Sequence, residues 1–256
     1  MNAMSYADSY QPDRTLKGKL RRRLVRLAYR RPARVVLAQP MLSISFDDAP
    51  VSAVETGARL LEERGLRGTY YISAGLAGKD GPMGRNADGE QIAALAAAGH
   101  DIADHTYSHL DCGQASRSEV VDEADLNAEM LTGWAGVEPS SFAYPYGDVA
   151  IPAKHALSER FRLLRALHHG VVATGSDLNQ APAVGIEGPD GEAVARRWMA
   201  EAKARNAWLI LYTHDVAAEP SPWGCTPDAL ARLLDTALAD GFEVVTVAQG
   251  VRRIGA

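Results

Sequence analysis

An α/β fold, with a parallel sheet or barrel inside and helices outside, is what this sequence predicts. Three observations carry the prediction. From about residue 35 onward, β-rich runs alternate with helical patterns. Several of those helical patterns end on glycine just before the next strand, at EERGLRGTYY, AAAGHDIA and LADGFEVV, where glycine supplies the left-handed residue that closes a helix. The length, 256 residues of which 46% are hydrophobic and 23% charged, is ordinary for one α/β barrel.

The first element is TLKGKLRRRLVRLAYRRPAR, where Leu16, Leu20, Leu24 and Leu27 fall at helical spacing among arginines and lysines. It predicts an amphipathic basic helix and sets residues 1–34 apart as an N-terminal extension, with the main domain over 35–256. Ten of the 27 Lys/Arg lie in residues 14–34 with no acid among them, so the rest of a chain of net charge −5 is distinctly acidic. That balance argues against a general nucleic-acid binder.

Arginine interrupts every apolar run in this segment, unlike a secretory h-region, and no stretch approaches the ~20 apolar residues of a membrane-spanning helix. The expectation is a cytoplasmic protein. Its helix would rest either on the inner face of a membrane or, through the leucines, on the protein's own body.

Strands rich in β-branched and aromatic residues are predicted at ARVVLAQ, MLSISF, GTYYIS, HDIADH and SFAYP, around HGVVAT, and at AWLILYT and FEVVTV. Between them the spacing predicts helices over 51–64, 89–98, 116–134, 149–160, 190–205 and 227–240. Two cysteines, Cys112 and Cys225, make neither a disulfide framework nor a structural zinc motif, which fits a reducing compartment.

In α/β barrels the chemistry collects where strands end and βα loops begin. The predicted strands deliver FDD, DHTYSH, YPYGD and THD to that end. Adjacent side chains on a strand point to opposite faces, so Asp47 and Asp48 can share a site only if the strand breaks there, and Ala49-Pro50 supplies a break. Taken alone, DDAP before a helix is more simply an N-cap followed by an early-turn proline.

HTYSH places His105 and His109 four apart, which on a helical turn would aim both imidazoles at one point. With one carboxylate they make a three-ligand metal site with room for water, open in the catalytic manner. A metal in such a site brings the pKa of water toward ~7. One aspartate would then bind metal and its neighbour take the proton. His214, ending the apolar strand LILYTHD, could protonate a leaving group opposite the base.

SFDD, HTYSH, YPYG and YTHD, in this order, resemble the motifs of the polysaccharide deacetylases (NodB-homology, carbohydrate esterase family 4), over roughly residues 40–250. The resemblance implies a distorted, incomplete (β/α) barrel, seven-stranded and TIM-like. It implies Asp47 as catalytic base, Asp48, His105 and His109 as metal ligands, and His214 as general acid. Tyr146 would donate its backbone N–H to the oxyanion. Zinc is the first choice of metal, with other divalent first-row ions acceptable to the same ligands.

Two departures from the pattern matter. The family's third motif carries an arginine shortly before its Pro-Tyr, where it holds the base aspartate; here the run is Phe142-Ala143-Tyr144-Pro145-Tyr146. Arg165, in RFRLLRALHHG, is the expected substitute, reaching in from another loop. The aspartate that supports the acid histidine is also displaced, and Asp177 in GSDLN is the candidate.

Trp223, in a Pro-rich loop after His214, could stack on a sugar ring, while His100 reads as structural and His168–His169 as cleft lining or solvent-facing. The implied activity is metal-dependent removal of an N-acetyl or N-formyl group from an amino sugar, a precursor of a surface polysaccharide such as O-antigen that could be lipid-linked. The alternatives are an amidase on a non-sugar amide and a non-catalytic carbohydrate-binding relative.

Overall fold

The computed structural model describes residues 15–256, except for the side chains of Leu16 and Lys17. The first part of the predicted N-terminal extension and the Leu16 member of its leucine face therefore lie outside the described residues.

Helix α1, Leu16–Leu27, opens on Thr15, whose hydroxyl accepts from Gly18 N at 3.1 Å. Strand β1, Met41–Asp47, lies at the centre of the sheet and is buried along its whole length. There follow a helix α2, π-wound over Ala53–Gly57 and α over Ala58–Glu62, and strand β2, Thr69–Ile72. A small hairpin, β3 Asp80–Gly81 and β4 Gly84–Arg85, precedes α3, Gly89–Ala97, and β5, Asp101–Asp104.

Helix α4, Arg117–Ala135, starts on a Ser116/Glu119 capping box and stops at left-handed Gly136. The remainder runs β6 Ser141–Ala143, α5 Ile151–Ser158, β7 Leu163–Arg165 and β8 Val184–Gly185. It closes with α6 Gly191–Arg205, β9 Trp208–Thr213, α7 Pro227–Ala239, β10 Glu243–Val244 and α8 Val247–Arg253.

Every pairing in the main sheet is parallel, in the order β7-β6-β5-β2-β1-β9-β8, with β10 beside β1 off this path. Between the two edge strands the gap is crossed by the isolated bridge Arg165↔Ala181, just before β8, and by Ala183 N donating to the His168 carbonyl at 3.1 Å. This is the curled, incomplete (β/α) barrel that the motifs imply.

Alternation along β1 explains the layering. Leu42, Ile44 and Phe46 pack outward with Leu61, Leu230 and Leu233 of the surrounding helices, in the main core. Met41 faces the other way, with Trp208, Ile210, Val247 and Val251, so that α8 covers the end of the barrel remote from the β1 terminus. Higher in the interior the buried side chains become Tyr71, Ala103 and Ala143. Of these, Ala103 and Ala143 are small and leave space for polar groups.

Some expectations need correction. ARVVLAQ is not a strand: after Ala33 it runs as an extended arm, and Val36 is 80% exposed. Around HGVVAT only Val172 makes a bridge, to Trp208; the sheet uses Leu163–Arg165 and Val184–Gly185 instead, segments too short to show an alternating pattern. Helix α8 was not foreseen. The leucine face of α1 does not pack on the body, since Leu20, Leu24 and Leu27 are 57%, 47% and 74% exposed and Val25 is the buried residue.

Candidate active site

Asp47 is the last residue of β1, and the chain coils immediately after it: Asp48 and Ala49 take φ of 60° and 48°. The left-handed turn brings two consecutive carboxylates to one end of the barrel, which a continuing strand could not do. Thr106, His109 and Tyr146 also have φ near 60° (61°, 60° and 59°). Non-glycine residues in this region are strained, and such strain gathers at functional sites.

Asp48, His105 and His109 each offer a ligand atom, all within 4.8 Å of one another and all buried. The His–X3–His spacing does not sit on a helical turn as the sequence suggested. It lies on the loop after β5, shaped by Thr106 N donating to Asp104 Oδ1 at 2.8 Å and Leu110 N to Thr106 Oγ1 at 2.7 Å.

His105 Nδ1 lies 2.7 Å from the Ala143 carbonyl, a partner that fixes the proton on Nδ1 and leaves Nε2 as a lone pair facing Asp48. Burial lowers the pKa of both imidazoles, and that of His109, further depressed by the charge of His214, falls to about 3. Neutral nitrogens beside a carboxylate are a donor set suited to a divalent first-row ion. Burial lifts Asp48 above its ordinary range, against the pull of His105 and His214; a cation is what would hold it ionised.

Arg165 ends β7, fully buried, with Nη2 2.5 Å from Asp47 Oδ2. It comes from a strand, not a loop. Its Cα partner on β6 is Ala143, in the stretch where the family's arginine is missing. The guanidinium carbon lies 4.9 Å from the Tyr71 ring centre and 5.0 Å from that of Tyr212, so two aromatic faces flank the charge. Burial alone would push Asp47 up, yet Arg165, His214 and His105 outweigh it and hold the carboxyl below its usual range. Its other oxygen, Oδ1, has no hydrogen-bond partner among the described residues.

His214 follows β9. Its Nδ1 stands 3.2 Å from the Trp223 carbonyl and 3.4 Å from Glu187 Oε1. Burial would lower this imidazole, but Glu187, with Asp47 and Asp48 behind it, raises it to about 9. Glu187 escaped the sequence reading because it follows the two-residue strand β8, whose IEGPDG tail was the available signal.

Asp177 does not serve this histidine. It binds Lys154 Nζ at 2.7 Å and accepts from Arg31 N at 2.9 Å, tying the N-terminal arm to α5. Asp215, beside His214, braces the next loop by accepting from Ser221 N at 2.8 Å and Ser221 Oγ at 2.5 Å.

The ligand set, the Asp47 carboxylate, His214 and Glu187 open on one cleft of about 290 Å³, at the small end of ligand cavities. Asp47, Asp48, His105, His109, Tyr146 and His214 line it. Trp223 forms part of its wall, and Pro82 and Met83 at the tip of the β3–β4 hairpin, which the sequence did not suggest, form another. The Tyr146 ring stacks edge-on to His109, centroids 4.4 Å apart. His168 and His169 do not line the cleft, and His100 is structural, accepting from Gly68 N at 3.0 Å.

Comparison with known proteins agrees with this geometry. The family model described as polysaccharide deacetylase matches residues 35–159. Chitin deacetylase 1 of Cryptococcus neoformans var. grubii is 26% identical over 106 residues, 41% of this chain and 21% of that protein. The peptidoglycan-N-acetylglucosamine deacetylase of Bacillus cereus is 25% identical over 113 residues, 42% of this chain and 37% of that protein. The chain thus spans well under half the length of these curated relatives. Among solved structures, the Xyl-CE4 domain of a multidomain xylanase from the hindgut metagenome of Trinervitermes trinervoides superposes with a TM-score of 0.61 at 16% identity, covering 85% of this chain and 92% of that one. That likeness shows the fold.

Proposed function

We propose that this chain, whose residues 35–159 match the family model described as polysaccharide deacetylase, is a metal-dependent hydrolase that removes an N-acetyl or N-formyl group from an amino sugar. One observation carries the reading. Asp47, held anionic, and His214, held protonated, line the same cleft as the Asp48–His105–His109 ligand set. A base and an acid with opposed protonation at neutral pH are what amide hydrolysis requires.

In the proposed reaction the acyl carbon lies between these two groups. Asp47 Oδ1 accepts a proton from the attacking water as its oxygen bonds to the carbonyl carbon. The Tyr146 N–H steadies the carbonyl oxygen as it gains charge. His214 then delivers its proton to the nitrogen, the C–N bond breaks, and a free amine and a carboxylic acid leave. Arg165 keeps Asp47 ionised, and Glu187 keeps His214 charged. Asp48, His105 and His109 would hold the divalent ion, zinc by first choice, which supplies Lewis acidity toward the carbonyl and makes water a stronger acid.

The small cleft suits one sugar unit at a time, with Trp223 as a stacking face. We take the substrate to be a precursor of a cell-surface polysaccharide such as O-antigen, carried on lipid at the inner face of the membrane. The basic segment 14–34 supports that placement.

The test is release of acetate or formate from N-acylated amino sugars by metal-supplemented protein beside Asp47→Asn. Release by the wild type, cut by roughly 10²–10⁴-fold in the variant, is the expected result. Equal release by both proteins, or none from either acyl class, contradicts the proposal.

A further inference from the structure

We infer that the outward face of α1 is a docking surface for an anionic lipid bilayer. The helix has two faces with different tasks. Val25 is buried against the body and Gly18 is buried beside it, whereas Leu20, Leu24 and Leu27, four and three residues apart, form one stripe on the opposite side and stand 47–74% exposed. Exposed Lys19, Arg23 and Arg26 border that stripe, and residues 14–34 contain no acid to neutralise them.

Leucines flanked only by cations are unsuited to an apolar protein groove and complementary to a negatively charged headgroup layer above acyl chains. A second copy of the same face would set cation against cation.

The helix is also rigidly mounted, so its leucines cannot simply turn inward. Arg21 pairs with Asp148 and donates to the Gly113 carbonyl. Fully buried Lys154 donates to the Val25 carbonyl at 2.8 Å, and Asn179 Nδ2 to the Tyr29 carbonyl at 2.7 Å. Gly113 and Asp148 belong to the loops that carry His109 and Tyr146, so the inward face of the helix is mounted on loops of the site. Docking through the outward face would bring those loops near the membrane, where a lipid-linked sugar would present its acyl group. That last link rests on the proposed function, while the docking surface itself does not.

The experiment is co-sedimentation of the full chain with phosphatidylcholine vesicles and with vesicles containing 30 mol% phosphatidylglycerol, at low and high salt, with acyl release from a soluble amino sugar measured on the same preparations. Binding to the anionic vesicles, released by salt, is expected. Leu24→Asp/Leu27→Asp should abolish it while the circular dichroism and soluble-substrate activity stay as in the wild type.

Each Lys or Arg near an anionic leaflet strengthens binding by roughly fivefold, so Lys19→Gln/Arg23→Gln/Arg26→Gln should weaken it by about a hundredfold. Failure of the wild type to bind anionic vesicles overturns the inference, as does undiminished binding by the Leu24→Asp/Leu27→Asp protein. A wild-type dimer that this double variant dissolves, without vesicle binding, overturns it too and assigns the face to self-association. Loss of acyl release alone bears on the proposed function and leaves the docking surface standing.

Discussion

Replacing Arg165 by leucine removes the cation that stands against Asp47 in the barrel interior. The pair is 2.5 Å apart, with side-chain exposures of 0% and 4%, so water screens it hardly at all. Asp47 has no substitute of the same kind: His214 and His105 act on its carboxylate more weakly than Arg165 does, and Oδ1 makes no hydrogen bond among the described residues. Breaking one side of a buried pair costs about 3–5 kcal/mol, because the remaining charge is left in low dielectric.

Part of that cost is relieved if Asp47 takes up a proton, which moves its pKa upward, each unit being worth about 1.36 kcal/mol. The assay is kcat/KM against pH on a soluble N-acyl amino sugar, with urea unfolding in parallel. Arg165→Leu should shift the acid limb up by a unit or more and lower stability by about 3 kcal/mol or more. The sign follows from linkage: a carboxylate held below its unfolded pKa contributes stability above that pKa, lost as pH falls. Ala143, the Cα partner of Arg165 on β6, is where a second-site arginine should restore the limb. An Arg165→Leu enzyme with wild-type turnover and an unmoved acid limb would refute the reasoning.

Three further outcomes are expected. Glu187→Gln should bring the alkaline limb of kcat down from near 9 toward the ordinary histidine range while leaving acid-side turnover intact, because Glu187 is the largest influence holding His214 protonated; an unshifted limb assigns the acid elsewhere. Gly224→Ala places a methyl group against the Asp215 carboxylate that braces Ser221, so KM should rise more than kcat falls as the Trp223 wall loosens, and an unchanged KM removes that wall from the site. Lys154→Met leaves the 10%-exposed Asp177 without its cation and should lower Tm by at least ~6 °C, from about 3 kcal/mol in a chain of this size; a wild-type melt means that the arm is not held by this pair.

How much of this was legible in the sequence depended on length of pattern. Strand β1 has seven residues of alternating character and ends on the aspartates, so both the strand and the need for a break after Asp47 could be read, although only the structure reveals that Asp48 and Ala49 themselves turn left-handed. The His105–His109 spacing told of a shared point but not of its support, a loop folded on Asp104 rather than a helical turn.

Arg165 was found by a vacancy, an expected arginine absent beside Tyr144, and the parallel β6–β7 ladder supplies the physical reason that a neighbour can fill it. Glu187 was missed since a two-residue strand leaves no periodicity. Asp177 was the candidate for a displaced motif aspartate, and nothing in GSDLN told that it pairs with buried Lys154 instead. For α1, spacing told which leucines share a face and nothing of what covers them.

The central claim is that Asp48, His105 and His109 hold a divalent ion beside the Asp47–His214 pair. Elemental analysis of purified protein, next to Asp48→Ala/His105→Ala with its fold checked by circular dichroism, tests it most directly. The account predicts one equivalent of a first-row divalent metal in the wild type and its loss in the variant. No metal in the wild type after incubation with zinc, or undiminished metal in the variant, would contradict it.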